Sequence, residues 1–519
     1  MREYVNDFLR SIIRWTIVVL GLISDRLLRF RILGYSRNQQ RLKQKYGITR
    51  DTPILTYGPR VVESIQGTAR KAGRTASFAE TSGSTGKPKQ ILYTPRRSLH
   101  LKLTFSDMFT RACHALGLKR TSLYVFNSFQ PDASLTSLLL DENRSPNYFS
   151  TLQAPYRVQH NPAIQALVSK YGAAAVRLWI LTLANPGVLY ATNPSTISTF
   201  LDDLANDWHQ TSRLIKDWCE APPSFTREVH NIARRLESRG CKHRLKQIAK
   251  SNTPLELSVC APAVEAYICW TGGYVKPFLD RLANYLPAPR YKLIPMYSMS
   301  TETIETLPDF RDKKAVAFLP IAAGVVYEFI EETALDRPDN LLNPHQLEPG
   351  KLYAMVVSDA YGLRRYQTDD LFLCKRKLKG LPDLAFVRRR SLEYSFTGEK
   401  LTAEQLSTVF EQLRAMYPAL VADRFLTCVP TAGKVPHYQL LLVGDQRSFT
   451  QSSKALLATR CDELLSEINC EYKSKRSSGR LGTIECINTE IRDFTERFAK
   501  DASWETQFKF LPLIRLKSQ

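Results

Sequence analysis

Residues Thr81–Lys89, TSGSTGKPK, gather in one short stretch the residue types that hold phosphate. Glycines let backbone N–H groups approach an anion closely, hydroxyls add donors, and Lys87 and Lys89 supply compensating charge. Only two residues separate Gly83 from Gly86, so the stretch lacks the four-residue gap of a Walker loop and does not indicate a P-loop NTPase.

A loop of this kind needs firm flanks, and a short strand-like run precedes it. Downstream, apolar residues recur at helical spacing over Pro162–Lys170, Ile197–Cys219, Ser224–Ser238 and Val275–Tyr285. Runs rich in β-branched and aromatic residues alternate with them, at 122–127, 176–183, 255–260, 315–320, 325–331 and 352–360. The pattern predicts an α/β fold with mixed sheets and helices. After FTGEK (396–400) the texture changes. Thr402 and Gln405 form a capping box for a helix to Met416, followed by strand-like runs at 424–430 and 437–444, a helix over Ser452–Ile468 and a strand at 481–487. Two helices on a small sheet make an α+β lid. The expected division is therefore an N-terminal helix (1–33), a large domain (34–395) and a small mobile C-terminal domain (396–519).

A chain of 519 residues is too long for one compact core, and 44% apolar with 24% charged residues is the composition of a folded protein. Ten cysteines occur with no C-x-x-C pair and no histidine grouping, which argues against zinc and a disulfide framework and points to the cytoplasm. Lys and Arg exceed Asp and Glu by 72 − 50 = 22, a surplus that favours anionic partners. It is uneven: Arg26–Arg50 carries eight basic residues and no acid, directly after the apolar segment Trp15–Ile23. That segment is about half the roughly 20 residues a spanning helix needs. Residues 1–33 are expected to form an amphipathic helix that packs on the main domain or rests peripherally on anionic lipid headgroups.

TSGSTGKPK resembles the phosphate loop of the adenylate-forming enzymes, the superfamily of acyl-CoA synthetases and peptide synthetases. Tyr297–Glu302 (YSMSTE) resembles the second motif of that superfamily, and Tyr366–Asp370 (YQTDD) the third. The segments VVYEFIE, LEPGKLYAMVVSDAYGLRRYQTDD, FVRRRSLEYSFTGEKLTAEQL, PHYQLLLV, NCEYKSKRSSGRLG and TQFKFLP resemble, in that order, segments of one branch, the auxin-responsive acyl acid amido synthetases and their bacterial relatives. The likeness runs from Gln40 to Pro512.

The resemblance implies that ATP activates a carboxylic acid as an acyl-adenylate, releasing pyrophosphate, and that an amine then displaces AMP. Positioning and charge neutralisation would dominate such chemistry. By the same resemblance, Thr81, Ser82, Gly83, Ser84, Thr85, Gly86 and Lys87 would hold the terminal phosphates, with Tyr297, Ser300 and Thr301 in the nucleotide site. Glu302 would hold Mg2+, Asp370 the ribose hydroxyls, and Arg389 with Lys400 the ribose or a phosphate. Lys509, in the lid, would reach the α-phosphate during adenylation. The lid would rotate between half-reactions about a hinge at Arg390–Lys400, with Gly398 its most permissive residue. The sequence departs from the family pattern at Gln367 and Asp369, where arginine and glycine are usual, and at Tyr297, one place early, with Ser298 where the family tyrosine falls.

His100, His114 and His437 are expected in core or surface roles, because an ionised carboxylate needs no base to attack. The implied partners are a small carboxylic acid and an amino acid-like amine. A thiol acceptor, as in a CoA ligase, is the alternative within the same chemistry, and a membrane-associated protein that keeps the fold without turnover is the alternative outside it. No nucleic-acid module is recognisable, and no aromatic residues interleave with the basic runs, so specific nucleic-acid binding is not expected.

Overall fold

The computed structural model describes residues 2–71, 77–80, 90–126, 129, 158–272, 275–312, 315–335, 340–389, 393–394, 399, 401–421, 424–431, 435–444, 450–477, 481–498 and 511–514. The first elements are α1 (Arg2–Leu33), α2 (Tyr35–Lys45), α3 (Pro59–Lys71), the antiparallel hairpin β1 (Ser77–Glu80) and β2 (Gln90–Tyr93), and α4 (Pro95–Leu116). Helix α1 is far longer than the apolar segment that marks it in the sequence, and it packs along α4. Ile17, Leu28 and Ile32 of α1 are buried with Leu101, Met108 and Phe109 of α4. Gly21 lies against the Thr110 carbonyl so closely that a Cβ there would overlap it. Polar contacts fix the register: the Ser24 hydroxyl bonds Asp107, and His114 Nδ1 lies 3.3 Å from the Asp25 carboxylate.

The centre of the molecule is a parallel sheet, β3 (Leu123–Val125), β4 (Val188–Tyr190), β5 (Ala266–Cys269) and β6 (Lys292–Pro295), in that spatial order. Side chains alternate between its faces. Leu123, Val125, Val188, Ala266 and Ile268 join one core with α1, α4 and the hairpin, whereas Tyr124, Leu189, Tyr267 and Cys269 join a second built of the crossover helices.

The crossovers correct three expectations. Residues 176–183, which read as a strand, lie inside a helix, Ala173–Ala184, where every residue from Ala175 to Leu183 is buried. A segment enclosed on all sides shows no helical period, and three alanines at its start favour helix. Residues 255–260 contain one helical turn, Leu257–Cys260, rather than a strand. The single helix expected over Ile197–Cys219 is two, Pro194–Asn206 and Trp208–Glu220, broken at Asp207 (φ −126°, ψ 49°).

A small antiparallel pair, β7 (Leu307–Asp309) and β8 (Ala317–Leu319), leads into a four-stranded antiparallel sheet. Its strands are β9 (Val325–Glu331), β10 (Leu352–Asp359), β11 (Tyr366–Leu378) and β12 (Leu381–Arg389), ordered β12-β11-β10-β9. Alternate residues Val325, Tyr327 and Phe329 and their neighbours Tyr353, Met355 and Val357 seal it onto the first core. A buried ion cluster pins α2 to it: Glu328 receives Arg365 Nε at 3.0 Å and Lys43 Nζ at 2.8 Å.

Beyond the short pair β13 (Glu393–Tyr394) and β14 (Leu401–Thr402) the chain builds a separate core. The helix Ala403–Met416 opens with the expected capping box, in which Thr402 Oγ1 accepts from Gln405 N at 3.2 Å and Gln405 Oε1 from Thr402 N at 3.1 Å. It packs with the helix Gln451–Ile468 on the sheet β15 (Phe425–Thr431), β16 (His437–Val443) and β17 (Glu485–Thr489). The other face of that sheet meets the helix Lys276–Tyr285 through Phe278, which stacks on Phe425 at 6.0 Å between centroids.

Candidate functional site

In an open parallel sheet, ligands bind beyond the carboxyl ends of the strands. The chain leaves β6 there through Met296 and Tyr297 and turns sharply between Met299 and Ile304. Ser300 N donates to Thr303 O at 3.0 Å, Thr303 N donates to Ser300 Oγ at 3.3 Å, and the Ser298 hydroxyl donates to Glu305 at 2.5 Å. These local bonds stiffen the turn that carries Glu302.

Glu302 is only 6% exposed. Burying a carboxylate is costly unless donors replace its water. Tyr366, the first residue of β11, donates its hydroxyl to Glu302 Oε1 at 3.1 Å. Arg97, in the first turn of α4, donates to the backbone carbonyl of the same glutamate, and its guanidinium lies 4.6 Å over the Tyr93 ring. Tyr93, at the end of β2, donates to the Thr301 carbonyl at 2.5 Å. Burial pushes the Tyr93 phenol up to about 12, so it stays an O–H donor at neutral pH. The second and third sequence motifs and the hairpin are thus tied together at one point.

The strand β11 is irregular just where Asp370 stands. Ala354 of β10 faces Leu371 and Val356 faces Gln367, so three residues of β11, Thr368–Asp370, stand opposite the single Met355. Such a bulge re-aims side chains beside a site. Asp370 is 5% exposed and pairs in register with Arg389 of β12, the arginine singled out by the sequence. Nearby, half-buried Trp270 follows β5 and its ring lies 5.1 Å from Phe386 of β12, with Gly272 packed close against both.

Asp359, at the end of β10, shapes the turn into β11. Its carboxylate accepts from Tyr361 N at 2.8 Å and Leu363 N at 3.0 Å. Burial raises its pKa against the opposing pull of Arg97 and those two amides.

The expected residues fall into three groups. Ser300, Thr301 and Glu302 lie in the turn after β6, and Asp370 lies on β11, four residues beyond the Tyr366 that bonds Glu302. Tyr297, 3% exposed, belongs to the core rather than the edge, and burial beside Tyr190 and Tyr93 drives its phenol pKa well up. Residues Thr81, Ser82, Gly83, Ser84, Thr85, Gly86 and Lys87, together with Gly398, Lys400 and Lys509, lie outside the described residues. What is described is the base of the loop: the last hairpin pair is Glu80 with Gln90. Among the described residues no cluster of three or more His, Cys, Asp or Glu could hold a metal. A Mg2+ ion that keeps most of its waters needs no such cluster, and one carboxylate suits it.

Of the histidines, His100 lies against the Tyr361 ring at 5.8 Å, and burial, then Arg97 and Arg31, lower its pKa. His114 pairs with Asp25, and His437 lies 3.7 Å from Glu485. Tyr93, Arg97 and the role of Tyr366 escaped sequence reasoning. Tyr366 stands inside a recognised motif, but nothing in the string separates buried Arg97 from exposed Arg96.

Residues 318–389, the antiparallel sheet that carries Tyr366, Asp370 and Arg389, match the GH3 family central domain. The chain is 26% identical over 160 residues to indole-3-acetic acid-amido synthetase GH3.2 of Arabidopsis thaliana; the match spans 29% of this chain and 29% of that curated relative. The structure superposes on that of the GH3.15 acyl acid amido synthetase with a TM-score of 0.69 at 15% identity, over 94% of this chain and 93% of the other. A second structure, AtGH3.15 acyl acid amido synthetase in complex with 2,4-DB, gives 0.66 at 16% identity, over 92% and 86%. At these identities the likeness is one of fold. Among the described residues no helix is long and apolar enough to cross a membrane.

Proposed function

We propose that this chain, which has the fold of the GH3 acyl acid amido synthetases and matches their central domain at residues 318–389, is an ATP-dependent ligase that joins a carboxylic acid to an amine. The observation that carries the reading is the hydrogen bond from Tyr366 to Glu302, which joins two motifs 64 residues apart beside the hairpin that bears TSGSTGKPK.

In the first half-reaction a carboxylate oxygen attacks the α-phosphorus of ATP and the bond to pyrophosphate breaks. In the second, the amine nitrogen attacks the acyl carbon and loses a proton as AMP departs. Ser82, Ser84, Thr85 and Lys87, with the amides of Gly83 and Gly86 and the Thr81 hydroxyl, cradle the terminal phosphates. Glu302 would hold Mg2+, which supplies neutralising charge to the phosphates. Tyr366 orients that carboxylate, Arg97 holds the Glu302 carbonyl and Tyr93 that of Thr301 before it. Asp370 accepts the ribose hydroxyls, with Arg389 opposite it in the ladder. Ser300 and Thr301 set the turn, Tyr297 supports it from the core, and Lys400 and Lys509 complete the site from the lid.

The separate core over Leu401–Leu513 supports a lid at 396–519, hinged at Arg390–Lys400, on a large domain at 34–395. The site is proposed to work in the cytoplasm. Mass spectrometry of products from ATP, Mg2+, a panel of carboxylic acids and either amino acids or CoA tests the reading. Amide with AMP is the expected product; acyl-CoA alone would make the chain a thioester-forming ligase instead.

A further inference from the structure

Among the described residues, the face of α1 turned away from α4 is apolar and uncovered. Trp15, Leu22, Ile23, Phe30 and Leu33 recur along it at helical spacing, opposite the buried Ile17, Leu28 and Ile32. Trp15 and Phe30 are each 70% exposed and Leu33 74%. Arg26 sits within this stripe and Arg29 beside it, both exposed. The single acid between Ile12 and Arg50, Asp25, is turned inward against His114. Exposed Arg37 and Arg41 of α2 continue the positive charge.

We infer that α1 docks in the plane of a bilayer bearing anionic lipid. Aromatic and aliphatic side chains of an interfacial helix enter the acyl boundary, while arginine stems lie along it and their guanidinium groups take lipid phosphates bidentately. Six arginines, at 2, 10, 14, 26, 29 and 31, make the helix too charged to span. They also favour lipid over a second copy, since a two-fold pairing would set Arg26 and Arg29 against the same positive face. Because α1 rides on α4, whose first turn brings Arg97 to Glu302, docking fixes the orientation of the candidate site above the lipid.

Flotation of the full chain with phosphatidylcholine vesicles, and with mixed phosphatidylcholine–phosphatidylglycerol vesicles, tests this. The chain is expected to float with the mixed vesicles, less so in high salt. The variant Trp15→Ser/Phe30→Ser/Leu33→Ser is expected to lower partitioning at least about tenfold at unchanged melting temperature. Arg26→Gln/Arg29→Gln is expected to weaken binding to the mixed vesicles alone. Failure to float, equal binding to neutral vesicles, or unaltered binding of the triple variant overturns the inference. So does a dimer in sedimentation that the triple variant dissolves, which would assign the face to a second copy. Pyrophosphate exchange without vesicles should be the same in wild type and triple variant, so this test stands apart from that of the ligase reading.

Discussion

Replacing Tyr366 with phenylalanine removes one hydroxyl and leaves the ring in its buried place in the first core. The lost contact is the 3.1 Å donation to Glu302 Oε1. A hydrogen bond to a charged group contributes about 1.5–3 kcal/mol, and about 1.4 kcal/mol is tenfold in rate. If the bond holds Glu302 in its working orientation, Tyr366→Phe should lower kcat/KM for ATP–pyrophosphate exchange about 10- to 150-fold. It should also raise the Mg2+ concentration needed for half-maximal exchange, an effect that mere loss of stability does not produce. Exchange and Mg2+ dependence equal to wild type, in a variant that melts cooperatively, would refute the assignment of Tyr366 as the positioning residue for Glu302.

Lys509→Ala should cut pyrophosphate exchange about 100-fold yet leave transfer from a supplied acyl-adenylate intact; equal losses in both assays would contradict a role confined to adenylation. Burial alone would lift the Glu328 pKa, but bonds from Arg365 and Lys43 outweigh it and hold the group below its ordinary 4.5. Its contribution is present above 4.5 and lost as the pH falls through the lowered folded value. Glu328→Gln should therefore destabilise the protein by about 3 kcal/mol near neutrality, with the difference from wild type shrinking in urea melts below pH 4.5; a pH-independent difference would count against the ion cluster. Gly21→Ala should cost about 1–3 kcal/mol, because the new Cβ meets the Thr110 carbonyl and α1 must lift from α4; an unchanged melting temperature would show that α1 does not pack as described.

What the sequence made legible was whatever is local. Strands β9 and β10 announce themselves by composition, and the Thr402–Gln405 box gives its helix start to the residue. The α/β class followed from the alternation of such segments. The helix Ala173–Ala184 was misread because complete burial erases the period that separates helix from strand. The bulge at Thr368–Asp370 was invisible because it depends on β10, which comes from another part of the chain. The same holds for the site. Glu302 and Asp370 stand out within short motifs, but the bonds from Tyr366 and Arg97 to Glu302 are contacts at long sequence separation. Buried Tyr297 shows the converse: a motif residue whose place in the core no local pattern disclosed.

The central claim is that Glu302, Asp370 and the loop at Thr81–Lys89 orient ATP for attack by an acid. Incorporation of labelled pyrophosphate into ATP, measured with and without carboxylic acids, tests it most directly. Incorporation that requires both the acid and Mg2+, and that Glu302→Gln abolishes, is the predicted result. Acid-independent incorporation, or full exchange in Glu302→Gln, would contradict it.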